Sequence, residues 1–211
     1  MRAKAAWVFG ALWCLSLGCS LKPPRVGEPP PALPDSGAER AYQEVLGRYT
    51  SHCELYATLD TRMLAAATWQ APAFREARLQ RMALFQAWSK ELLAKSLADE
   101  SAEAASFLDF FFGAHLNESR YDDFDRKNSI WRISLVTPAG ELAPASVERI
   151  GRSNLNLRAL YPYMDDFWVA YRIRFSRLSA SGAPVVPVDA SSMVLRVASV
   201  LGKADFTFPT H

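Results

Sequence analysis

Cysteine and histidine are both scarce in this chain, at three each among 211 residues. So few cysteines exclude a disulfide-stapled scaffold, and so few histidines leave little material for a zinc site or an imidazole-based triad. An excess of one charge is also missing: 24 Lys+Arg stand against 22 Asp+Glu, a formal +2. That balance lacks the strong basic footprint of a nucleic-acid-binding protein. No G-x-S-x-G, S-x-x-K or H-E-x-x-H occurs, so the short signatures of common hydrolases are absent. What the chain does have is apolar material. Half the residues are hydrophobic and 12% are aromatic, which suffices to bury a core and excludes wholesale disorder. The length suits one substantial domain or two small ones.

The N-terminal segment is organised in a recognisable order. Arg2 and Lys4 precede an uncharged run of fourteen residues, Ala5 to Gly18. That run is too short to cross a bilayer core of ~30 Å, which needs roughly 20 helical residues. Positive, then apolar, then small is the order of a secretory signal. The run ends in Leu15-Ser16-Leu17-Gly18-Cys19-Ser20, which resembles the lipobox of bacterial lipoproteins, with Ser16 and Leu17 exchanged relative to the commonest pattern. The resemblance implies cleavage after residue 18, acylation of Cys19, and sorting to the outer membrane because Ser20 is not an aspartate. Residues 20–37 then carry six prolines in eighteen positions. At ~3.1 Å per residue in polyproline II, such a tether extends up to about 55 Å.

Beyond the tether, periodicity predicts an α+β protein: N-terminal helices packed on a C-terminal antiparallel β-sheet or β-sandwich. The expected division is a signal peptide over 1–18, a lipidated cysteine and tether over 19–37, a helical region over 38–128 and an antiparallel β region over 129–211. The last two are read as one unit, 38–211. Tyr42, Val45, Tyr49, Cys53, Tyr56 and Met63 recur at helical spacings. A second helix is expected from Pro72 to about Leu97, its apolar stripe interrupted by Arg81, and a third from about Ala102 to His115, crowded with phenylalanine. Strands are expected at 131–135, 155–160, 167–175, 193–200 and 204–208, with an edge strand at 184–188. Along 167–175 the alternation sets Phe167, Val169, Tyr171, Ile173 and Phe175 opposite Trp168, Ala170, Arg172 and Arg174.

Candidate sites are few. His52 and Cys53 are neighbours on the expected helix and point about 100° apart, so they form no dyad. Asp122, Asp123 and Asp125 fail the EF-hand spacing, and no metal or cofactor is implied. The segment Tyr161-Pro-Tyr-Met-Asp-Asp-Phe-Trp168 sets Tyr161, Tyr163 and Trp168 beside Asp165 and Asp166. It reads either as a partner or glycan site or as a turn whose tyrosines cover the core. Arg172 and Arg174 read either as an anion-binding face with Trp168, joined by Arg132, Arg158 and Arg196, or as a plain solvated sheet face. The leading expectation is a non-enzymatic binding or accessory module, held to the membrane by acyl chains on Cys19, with a protein or glycan partner and no nucleic acid. The rivals are a hydrolase of envelope polysaccharide or peptidoglycan using Asp165, Asp166 or the 117–129 loop, and an apolar-ligand carrier using the phenylalanine-rich third helix.

Overall fold

The computed structural model describes residues 37–58 and 60–210. Cys19, the lipobox and the tether up to residue 36 lie outside the described residues. The fold is α+β, with four α-helices and nine strands in two antiparallel sheets among the described residues.

The chain opens with α1 (Gly37–Arg48), whose Tyr42 and Leu46 lie one turn apart and are both buried. A five-stranded sheet follows in the order β1 (Thr50–Ala57), β2 (Asp60–Trp69), β3 (Phe107–Leu116), β7 (Val169–Ser176) and β6 (Ser146–Arg152). The second sheet runs β5 (Gly140–Leu142), β4 (Arg132–Thr137), β8 (Ser192–Ser199) and β9 (Gly202–Pro209). Between the sheets lies the larger core, where Phe110 meets Phe208 at 5.2 Å between ring centroids and Phe112 meets Phe206 at 5.8 Å. A smaller core, with Tyr42, Phe74, Phe111 and Trp168, fills the space between the other face of the first sheet and the helices. The molecule is therefore three layers: helices, central sheet, outer sheet.

Several expected elements are corrected. The helical spacing over 42–63 ends as helix at Arg48, and β1 and β2 take its place. In β1 the exposed His52, Glu54 and Tyr56 alternate with less exposed residues, the period of a strand with one covered face. β2 is covered on both faces. Ala65 and Ala67 enter the inter-sheet core while Ala66 enters the helix-side core, so its apolar run carries no alternation to read.

The helix expected from 72 to 97 is two helices, α2 (Pro72–Phe85) and α3 (Lys90–Ser106). The break falls at Ala87, which adopts φ 49°, and Ser89 restarts the helix by accepting a hydrogen bond from the Leu92 N–H at 3.2 Å. The helix expected over 102–115 is instead the end of α3 followed by β3. Alternation in β3 sends Phe110 and Phe112 to one core and Phe111 to the other, which resolves how three consecutive phenylalanines are buried.

The strand expected at 155–160 is α4 (Leu155–Leu160), capped by the Asn154 side chain on the Leu157 N–H at 3.0 Å. At 184–188 no named strand forms, and Pro184 makes only an isolated bridge with Leu178. The strands expected near 131–135, 167–175, 193–200 and 204–208 are present as β4, β7, β8 and β9, although Phe167 lies outside β7 and is exposed.

Candidate functional site

The outer face of the central sheet, where the helices cover it, is divided by chemistry. Around Tyr42, Phe74, Leu160 and Trp168 it is apolar; where Arg75 of α2 and Glu100 and Glu103 of α3 approach, it is charged. The charged half is centred on Asp109 of β3, whose side chain is fully buried. Antiparallel register places Asp109 opposite Arg174, and Phe111 opposite Arg172, so two arginines of β7 flank the carboxylate on the same face. Arg172 donates to both Asp109 oxygens, each at 3.2 Å. From α2, Arg75 donates to Asp109 and to Glu100 of α3, and its Nε bonds the Gln70 carbonyl at 2.8 Å.

Glu103 of α3 closes the cluster, with Arg172 at 2.6 Å and Arg174 at 3.1 Å. Arg174 also reaches Glu148 of β6 at 2.6 Å. Arg75, Arg78, Arg172 and Arg174 thus balance Asp109, Glu100, Glu103 and Glu148. Desolvation on its own would make a buried cluster costly, and the multiple charge-assisted bonds offset that cost.

The electrostatic consequences follow from these contacts. Burial would raise the Glu100 carboxyl pKa, but Arg78 and Arg75 outweigh it and hold the group below the ordinary glutamate value. Burial likewise opposes the charge on Arg172, while its hydrogen bonds to Asp109 and Glu103 more than compensate and raise its pKa. Arg177 has no such partner set: burial and the nearby Arg75 both lower its pKa.

Beside the cluster a cleft of about 220 Å³ opens between α2, α4 and the sheet. Its floor and one side carry Arg75, Arg78, Arg172 and Glu100, and its apolar walls include Met82, Phe111, Leu157, Leu160 and Tyr161. Phe111 and Tyr161, both lining the cleft, stack on each other with centroids 3.6 Å apart and planes within 4°. Half-exposed Ile150 stands at the mouth. A second cavity, about 390 Å³, lies between α2 and α3 and is lined in part by Arg75, Leu97, Ser101 and Arg177.

The residues singled out from sequence are placed unequally. Tyr161, Tyr163 and Trp168 are buried, as core-covering side chains. The Tyr163 hydroxyl is 2.8 Å from Thr68 Oγ1, and burial raises the pKa of both tyrosines. Asp165 accepts from the Phe167 N–H at 2.8 Å, and Asp166 pairs with Arg158; both aspartates are exposed in a loop. Arg172 and Arg174 are covered by α3 rather than displayed with Trp168 as one open face. Arg132 and Arg196 belong to the other sheet, where Arg196 pairs with Asp205 at 2.8 Å.

Sequence reading missed Asp109, Arg75, Arg78, Glu100 and Glu103. A lone carboxylate inside FLDFFF was the available signal, because such a group requires a buried cation. Asp122 bonds the Tyr171 hydroxyl at 2.5 Å and Arg149 at 2.7 Å, and Asp123 accepts from Ser129 at 3.0 Å. Asp122 therefore fastens the 117–129 loop to the sheet, and Asp123 braces the loop internally. No group of three or more potential metal ligands occurs among the described residues. Comparison with known protein families, curated proteins and solved structures finds no match to this chain.

Proposed function

We propose that the protein is a bacterial envelope lipoprotein, anchored in the outer membrane through acyl chains on Cys19, and that its folded part is a non-enzymatic binding or accessory module. The proline-rich stretch after Cys19 serves as the spacer that lifts this module from the membrane surface. One observation carries binding over catalysis. Beside the cleft, Glu100, Glu103 and Asp109 each accept from two guanidinium groups. A carboxylate so engaged is a poor general acid or base, because its lone pairs are taken. Asp165 and Asp166, the pair considered for hydrolysis, stand in a solvent-facing loop and are not among the residues that line the cleft.

Fractionation of cells expressing Cys19→Ala tests the anchor. The variant should move to the soluble periplasmic fraction, and unchanged membrane partitioning would overturn the assignment. Crosslinking of the lipidated chain in its native envelope tests the module, with capture of a specific protein or glycan expected. Turnover of peptidoglycan or polysaccharide that disappears in Asp165→Asn would overturn the non-enzymatic reading.

A further inference from the structure

The cleft between α2, α4 and the central sheet has the composition of a ligand site. Apolar walls with a few convergent polar groups are the usual character of small-molecule pockets. Three arginines and one glutamate line it; Arg75 and Arg172 are committed to Asp109, Glu100 and Glu103. Arg78 is the cation with unused capacity. Its Nη2 donates to Glu100 at 2.6 Å, its Nη1 makes only a 3.9 Å contact with the Met82 sulfur, and its Nε is buried with no hydrogen-bond partner among the described residues. A guanidinium carries five N–H donors, and leaving a buried donor unmet is costly. Nε is sealed from the cleft, but Nη1, beside the cleft-lining Met82 and with only a sulfur contact, is the donor an entering acceptor can take.

Size and shape narrow the ligand. A cavity of about 150 Å³ accommodates benzene, so about 220 Å³ accommodates a ring or short acyl group plus a carboxylate head. Phe111, Tyr161, Ile150 and Leu157 supply apolar contact for such a group. We propose that this cleft binds a small amphiphilic carboxylate of about ten non-hydrogen atoms, its ring or acyl part against Phe111 and Tyr161 and its carboxylate on Arg78. The inference deepens the reading of the folded part as a binding module and is independent of the lipid anchor.

The test uses the full chain in phosphatidylcholine vesicles, with empty vesicles subtracted, and 4-fluorophenylacetate as probe by fluorine NMR. Saturable binding is expected at millimolar probe. Arg78→Gln should weaken it roughly tenfold or more, the loss of a charge-assisted hydrogen bond. Leu157→Trp, which fills the cleft and leaves every ion pair in place, should abolish it while circular dichroism stays native. Equal affinity for the neutral 4-fluorophenylacetamide would overturn the carboxylate assignment. Unchanged binding to the Leu157→Trp protein, or none by the wild type up to about 10 mM, would overturn the site. A failed anchor shows in fractionation and a failed site shows in this titration, so the two are distinguishable.

Discussion

Asp109→Asn is the substitution that the charged cluster makes most informative. It preserves volume but removes the one negative charge that is fully buried among the described residues and turns an amide N–H₂ toward guanidinium donors. Breaking a buried pair from one side costs about 3–5 kcal/mol. Arg75 keeps Glu100 and Arg172 keeps Glu103, so the lower end, about 3 kcal/mol, applies. For a folded unit of this size each kcal/mol moves Tm by roughly 2–4 °C, which gives a fall of about 6–12 °C. Urea unfolding followed by tryptophan fluorescence reads the change directly, since Trp69, Trp131 and Trp168 are all buried. A shifted midpoint with an unchanged slope identifies a stability effect.

The companion is Arg75→Met with Asp109→Leu, which replaces the pair by apolar side chains of similar bulk. Buried ion pairs replaced in this way are often neutral or better, so the double variant should regain most of the loss. A single variant within about 1 kcal/mol of wild type, or a double variant less stable than the single, would refute the reasoning.

Two further outcomes follow from the structure. Glu100 has its pKa depressed in the folded state, so its stabilisation is present above the unfolded value near 4.3 and is lost as pH falls through the folded value. The stability difference between wild type and Glu100→Gln at pH 7 should therefore shrink on acidification, and a pH-independent difference would contradict the assignment. At Gly113 an added Cβ would lie 3.1 Å from Trp168 Cε3 and 3.3 Å from Met164 Sδ. Both side chains are buried, so Gly113→Ala should cost about 1–3 kcal/mol by chemical denaturation, and a neutral result would mean that the tryptophan relocates.

The C-terminal half of the fold is legible in sequence because its strands have one face on the core. In β7, Val169, Tyr171, Ile173 and Phe175 face the inter-sheet core while Arg172 and Arg174 face the other way, and period two survives. β2 and β3 are buried on both faces, so periodicity disappears. Alanine at 65–67, a good helix former, then points to the wrong element. Tertiary burial overrides that propensity. At 155–160 the cap at Asn154 was the missed signal, since Leu155, Leu157 and Leu160 fit either period over so short a span.

The candidate site was legible only in fragments. Arg172 and Arg174 were placed on one face correctly, but what covers that face depends on α3. Its carboxylates Glu100 and Glu103 come from a helix whose break at Ala87 the apolar pattern did not reveal.

Asp109 has one more effect, on pairing rather than on energy alone. β3 sits at the middle of its sheet and is apolar on both sides, so hydrophobic alternation by itself would barely distinguish its native alignment with β2 and β7 from one displaced by a single residue. In the displaced alignment Phe110 would exchange faces with its neighbours, and the Asp109 carboxylate would point into the phenylalanine-lined space between the sheets with no cation in reach. A strand with no chemical difference between its faces is prone to slippage. The single carboxylate supplies that difference, and it separates the native alignment of the central strand from the one displaced by a single residue.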